Sequence, residues 1–159
     1  MPSPIVTGKA LLESIVDKDI LVNLFITVQR VLKGFLVSLL IGIPVGYAMG
    51  LSRTVEVMFE GVIDSVRQVP IMAWIPLTII WLGIGDGPTI FMIALSGVFP
   101  VILNTIQGVK NISKDYYNAA RSMGASRFSI FVNIIVPASM PDVLLGARIA
   151  VGAGWMSVI

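Results

Sequence analysis

Apolar residues in this chain come in long unbroken runs rather than at strand or amphipathic-helix spacing. Residues 34–51 and 68–85 each hold eighteen positions without a charge, and 87–109 holds twenty-three. Each run is close to the roughly 20 residues a helix needs to cross a hydrocarbon core about 30 Å thick. A fourth run, 143–159, is interrupted only by Arg148 and stops without a C-cap or a polar flank, so the chain reads as truncated at that end. The pattern predicts an all-α membrane protein: a polytopic helical bundle forming one partial transmembrane domain over 1–159. Its spans are expected near 27–51, 68–85, 88–108 and 142–159, with a polar connection over 109–141.

Between the runs the rhythm changes. Over 53–67, Glu56, Glu60 and Asp64 recur every four residues beside apolar positions, with Arg53 and Arg67 within three residues of the ends. Such a helix is amphipathic. An acidic gate is one reading; a solvated helix face at the membrane interface is the preferred one, because i,i+4 charge patterns are common on exposed helices. Pro70 and Pro76 interrupt the second run and Pro100 the third. Proline frees a backbone carbonyl, which a membrane tolerates only where protein or water satisfies it, so these spans are expected to face protein. Gly34, Gly42, Gly46 and Gly50 fall on one helix face and predict close packing against a partner helix.

Composition sharpens this reading. Hydrophobic residues make up 56% of the chain and charged residues 13%, where soluble domains carry roughly 25% charge. A formal charge of +2 is too small and too scattered for a nucleic-acid footprint. The absence of Cys rules out disulfides and thiolate metal sites, and the absence of His removes the commonest general base and metal ligand. No catalytic residue, metal or cofactor is therefore assigned. The N-terminus shows no basic segment followed by an apolar one, so no cleavable signal is visible and insertion is expected to use the internal spans.

The distribution of positive charge sets an orientation. Lys110, Lys114, Arg121 and Arg127 lie in the long connection, and none lies in the link 83–88. By the positive-inside rule the connection is cytoplasmic, the link external, and residues 1 to about 25 external. Arg30 and Lys33 then sit at the outer end of the first span, where their stems can snorkel. Arg30, Gln68 and Asn104 are the candidates for the pathway, with Gln29 and Arg148 also at or inside spans. The structural alternative is snorkelling for Arg30 and interhelical hydrogen bonding for Asn104.

The connection itself predicts two short helices and a corner. Ser113 is suited to N-cap the first, with Asp115 in its first turn, and Gly124 can end it in the left-handed conformation. Ser126 is suited to cap the second, whose apolar stripe is Ile130, Phe131, Ile134 and Ile135; Val136-Pro137 and then Pro141 are expected to end it before the next span.

Asn118-Ala119-Ala120, three residues, Gly124, nine residues, then Ile134-Ile135-Val136-Pro137 resembles the EAA loop of ABC-importer permeases. The spacing is that of the family pattern; Asn118 stands where the family has glutamate and Val136 where it has leucine. Similarity to the nitrate, sulfonate and taurine branch extends through Pro2-Ser3-Pro4, Thr27 to Phe35, Arg67-Gln68-Val69-Pro70, Ile75-Pro76-Leu77, Trp81 to Gly85, and Phe99-Pro100 with Asn104-Thr105. Members usually have one membrane helix before this region and more after it, so the chain reads as lacking the family's first helix.

The resemblance implies a permease subunit of an ATP-driven importer for a small oxyanion of nitrate, sulfonate, taurine or bicarbonate type, in the bacterial inner membrane. It implies as partners a cytoplasmic ABC ATPase dimer, a second permease subunit forming a homodimer, and an extracytoplasmic substrate-binding protein, with ATP hydrolysis in the partner. It further implies that Ala119, Ala120 and Gly124 contact the ATPase or form the corner, with Tyr117, Asn118, Arg121 and Phe128 beside them. The alternative is a non-transporting membrane scaffold that anchors a cytoplasmic partner through the same elbow.

Overall fold

The computed structural model describes residues 18–157. Expectations about residues 1–17, including Pro2-Ser3-Pro4 and most of the external N-terminal segment, and about 158–159 lie outside the described residues. In chain order the elements are α1 (Lys18–Leu51), α2 (Arg53–Gln68), a 3-10 turn (Ile71–Trp74), α3 (Ile75–Leu82), α4 (Asp86–Lys110), α5 (Lys114–Ser122), α6 (Arg127–Ile130), a π turn (Phe131–Ile135) and α7 (Val136–Met156). Among the described residues there is no strand.

Among the described residues three helices are long and apolar enough to cross a membrane: α1 with 34 residues, α4 with 25, and the continuous rod Arg127–Met156 with 30. Glycine lets them approach. A Cβ built on Gly34 would stand 2.6 Å from Ile93 Cγ2, one on Gly42 2.8 Å from Val101, and one on Gly46 2.6 Å from Thr105 Cβ, while Gly50 faces Val109 at 2.9 Å. Each partner lies 59 positions further on, so α1 and α4 run parallel and in register. The predicted glycine face thus packs on a helix of the same chain. α7 runs antiparallel to α4 by the same device, with Gly108 against Ser139 and Asp142, Gly146 against Asn104, and Gly154 against Ile93. Hydroxyls inside this seam bond their own helices: Ser38 Oγ donates to the Phe35 carbonyl, Thr105 Oγ1 to Val101 and Ser139 Oγ to Ile135, each at 2.7 Å.

Two parallel helices consecutive in a bundle need a return strand of chain between them, and 52–85 supplies it in pieces. The sequence reads 68–85 as one crossing; no single helix covers it. α2 and the segment Ile71–Leu82 meet at 92°. The cause is local. Val69 precedes a proline and takes φ −71°, ψ 124°, Pro70 heads the 3-10 turn, and Pro76 occupies the first turn of α3. Gly83 (φ 74°) and Gly85 (φ 147°) then adopt conformations that disfavour side chains, turning the chain into α4. Depth along the bundle is legible from neighbours on α4. Glu56 pairs with Lys110, Ile63 packs with Ile102 and Ile106, and the bend at Gln68–Pro70 faces Ser96 to Pro100.

Two further boundaries differ from expectation. α1 is already helical at Lys18, the first described residue, rather than from near 27, because nothing between them breaks a helix. The second elbow helix stops neither at Val136-Pro137 nor at Pro141, which lies inside α7, but runs into α7 through the π turn. A π turn lengthens the hydrogen-bonded loop by one residue, and the Val136 N–H donates to the Phe131 carbonyl five residues back, so the ladder is already shifted where Pro137 has no N–H to give.

Candidate functional site

The elbow is built by caps. Ser113 Oγ accepts from the Asp115 N–H at 3.2 Å to start α5, and Ser126 Oγ accepts from the Ser129 N–H at 3.2 Å to start α6. Between them the Gly124 N–H donates to the Arg121 carbonyl at 2.9 Å and the Ala125 N–H to the Ala120 carbonyl at 3.0 Å. That pair of bonds is a Schellman motif, and it requires the left-handed φ of 79° that Gly124 adopts. Ala120 and Ala125 supply its apolar contact inside a cluster centred on Val109, Ile130 and Ile135.

This packing sorts the predicted contact residues into two faces. Tyr117 and Ala120 turn inward onto the cluster, with Tyr47, Ile112 and Phe131 as neighbours. Burial pushes the Tyr117 phenol above its ordinary pKa. Asn118, Ala119, Arg121 and Gly124 face outward, and Phe128 is 76% exposed. The outward face also carries Met123 at 87% and Tyr116 at 64%, neither of which the motif singles out. A Cβ on Gly124 would meet nothing within 4 Å, so its constraint is conformational, not spatial. Arg121 and Arg127 border a cavity of about 490 Å³ between the elbow and the end of α1, with Tyr117 and Phe131 on its walls.

The elbow is tied to the spans at several points. Tyr47 of α1 exchanges a hydrogen bond with Ser139 of α7 (Oη to Oγ 2.8 Å) and meets Phe131 edge to face at 5.3 Å. Glu56 accepts from Lys110 Nζ at the base of α4 and from Arg53 at 3.0 Å. The expected solvated acidic face is therefore split: Glu56 is buried, because its turn of α2 packs on α1 and α4, and Glu60 remains exposed. A pairing across 54 positions has no local signature, which is why the stripe alone does not disclose it.

The pathway candidates separate in the same way. Arg30 donates through Nε to Asp86 Oδ1 at 2.9 Å, joining α1 to the start of α4 at the end opposite the elbow. Asn104 Nδ2 donates to the Pro100 carbonyl at 2.8 Å, on its own helix. Gln68 is exposed at the bend, beside a cavity of about 380 Å³. Arg67 lines the same cavity and pairs with Asp64 at 3.3 Å. Facing lipid at mid-depth, such a charge would cost at least about 2.5 kcal/mol. Of the other residues at spans, Gln29 and Arg148 are exposed.

Span-length helices closed on glycine faces, with a capped helical elbow at one end, define a polytopic α-helical membrane protein. Residues 38–159 match the family described as binding-protein-dependent transport system inner membrane component, and the chain belongs to that family. It is similar to the taurine transport system permease protein of Escherichia coli (strain K12), at 36% identity over 92% of this chain and 54% of that protein. It is similar also to the bicarbonate transport system permease protein of Synechococcus elongatus, at 32% over 90% of this chain and 51% of the relative. The nitrate import permease protein of the same organism matches at 34% over the same shares, 90% and 51%. The chain thus spans about half the length of these curated relatives.

Proposed function

We propose that this chain is the part of a permease subunit that forms the translocation pathway of an ATP-driven importer and couples it to a cytoplasmic ATPase. The observation that carries the coupling is mechanical. The outward face of the elbow carries Ala119, Met123 and Phe128, and its second helix, α6, which bears Phe128, continues without a break through the π turn into α7. A push on that face by a partner moves a membrane helix directly, as a flexible loop could not. The elbow end is cytoplasmic and the Arg30–Asp86 end external, in keeping with the Lys and Arg asymmetry. Two copies line the passage, an ATPase dimer hydrolyses ATP beneath them, and an external binding protein delivers the substrate. That substrate is a small oxyanion or sulfonate, a reading supported by the relatives named for taurine, bicarbonate and nitrate.

The test uses the full-length protein with its ATPase and binding protein. Gly124→Val places a β-branched residue at φ 79° and should cut ATPase co-purification and substrate-stimulated hydrolysis about tenfold, with insertion unchanged; Gly124→Asn should be milder. Wild-type ATPase association by Gly124→Val would make the elbow an ordinary linker. Proteoliposome uptake separates transport from the scaffold alternative: ATPase binding with no uptake of nitrate, bicarbonate or taurine would favour the scaffold.

A further inference from the structure

The return crossing carries charge at a depth where lipid cannot receive it. The bend after α2 abuts Ser96 to Pro100, the middle of the 25-residue helix α4, and Arg67 lies at that bend. Its stem is too short to bring a guanidinium from mid-depth to either surface of a core about 30 Å thick. Half of its side chain is nonetheless exposed, as is 43% of Asp64, and Glu60 and Gln68 on neighbouring turns are exposed too. On α1 at the same depth the surface is different. The offset of 59 sets Leu40 level with Phe99, and Leu40 is 74% exposed with Leu36 and Ile41 beside it. One flank of the bundle is thus suited to lipid and the other to water.

The cavity at the bend has a sign. Arg67 is the one charged residue among those lining it, and Gln68, Trp74 and Ser96 are its polar members. No carboxylate lines it, since Asp64 and Glu60 lie nearer the elbow end of α2. Its volume of about 380 Å³ exceeds that of any ion of a few heavy atoms. Arg67 brings five N–H donors in a planar fork suited to two oxygens of one ligand, and it makes a single 3.3 Å contact with Asp64.

We propose that the edge of α2 bearing Glu60, Asp64, Arg67 and Gln68 faces a water-filled passage inside the membrane, and that the cavity at the bend is an anion station whose charged donor is Arg67. The assignment rests on the transport reading for its purpose but not for its geometry. It also orients the subunit, with α2 toward the passage and the Leu36–Leu40 flank of α1 toward lipid.

The chain contains no cysteine, so single cysteines can be probed in the full-length protein assembled with its partners in native membranes. The probes are two thiol reagents of similar size, a sulfonate and a trimethylammonium. Gln68→Cys should react with both and Leu40→Cys with neither. At Gln68→Cys the sulfonate should react about tenfold faster than the cation, and adding Arg67→Gln should abolish or reverse that preference. A Gln68→Cys variant as inert as Leu40→Cys would overturn the water-filled edge. Reaction without an anionic preference, or a preference indifferent to Arg67→Gln, would overturn the station. Uptake by the unsubstituted protein is measured beside it: absent uptake with the full labelling pattern would discard the transport reading and leave the station standing.

Discussion

The α1–α4–α7 seam and the α2–α3 return crossing lie side by side in one bundle and are built on opposite terms. In the seam, glycines bring backbones together until a single added carbon would overlap Ile93 or Thr105, and each buried hydroxyl bonds to its own helix or across the seam. In the return crossing, two helices meet at 92°, Gly61 faces open space, and charges recur along one edge. Tight contact leaves the seam no room for added volume. The open, charged crossing is a surface awaiting water or another chain. The difference teaches where to expect stability and where to expect function: in the first, side-chain volume decides; in the second, charge and exposure decide.

Paired glycine substitutions break the comparison most sharply. Gly46→Ala should lower the stability of the detergent-solubilised protein by about 1–3 kcal/mol, because its Cβ would sit 2.6 Å from Thr105 Cβ in a packed seam. Gly61→Ala, mid-helix in α2 with nothing within 4 Å, should raise it by up to about 1 kcal/mol through helix propensity. Opposite signs in thermal unfolding followed by tryptophan fluorescence are expected. If Gly61→Ala also destabilised, α2 would be packed against something at that face.

A smaller effect should divide the acidic stripe. Glu56→Gln strands Lys110 and Arg53 at the foot of the bundle and should lower the unfolding midpoint more than Glu60→Gln, whose carboxylate is exposed. Adding Lys110→Gln to Glu56→Gln should recover part of the loss, because the one cation then left without its carboxylate is Arg53, whose side chain is 75% exposed. Equal midpoints for the two single variants would return Glu56 to the solvated face. The smallest effect belongs to the opposite end: Asp86→Asn leaves Arg30 unpaired in a half-exposed pair and should cost under about 1 kcal/mol, less still in high salt. A loss of several kcal/mol there would make the pair a structural clamp rather than a surface contact.

Much of this was legible in one dimension, for identifiable reasons. The caps Ser113 and Ser126 and the corner at Gly124 use side-chain and backbone chemistry within five residues, so residue type and spacing suffice to place them. The glycine face of α1 follows from helical period alone, although its partner on α4 does not. The stop expected at Val136-Pro137 and Pro141 failed because the π turn shifts the hydrogen-bond ladder just before Pro137 and Pro141 is carried inside α7. Within the elbow, spacing identified the residues but not their faces. Ala119 and Ala120 are adjacent letters, yet one turns outward and the other onto Val109, Ile130 and Ile135.

By itself, then, the amino-acid sequence determined that this chain is a helical membrane bundle with a capped elbow, because hydropathy, capping and left-handed glycine are properties of a few consecutive residues. The tertiary structure alone decided the rest. It set α1 parallel to α4, folded the second run into a bent return, paired Glu56 with Lys110 and Arg30 with Asp86, and put Arg67 beside the middle of α4. Depth, facing and ion pairing between residues more than 50 positions apart depend on how helices stack, and stacking is a relation between segments that no single segment encodes.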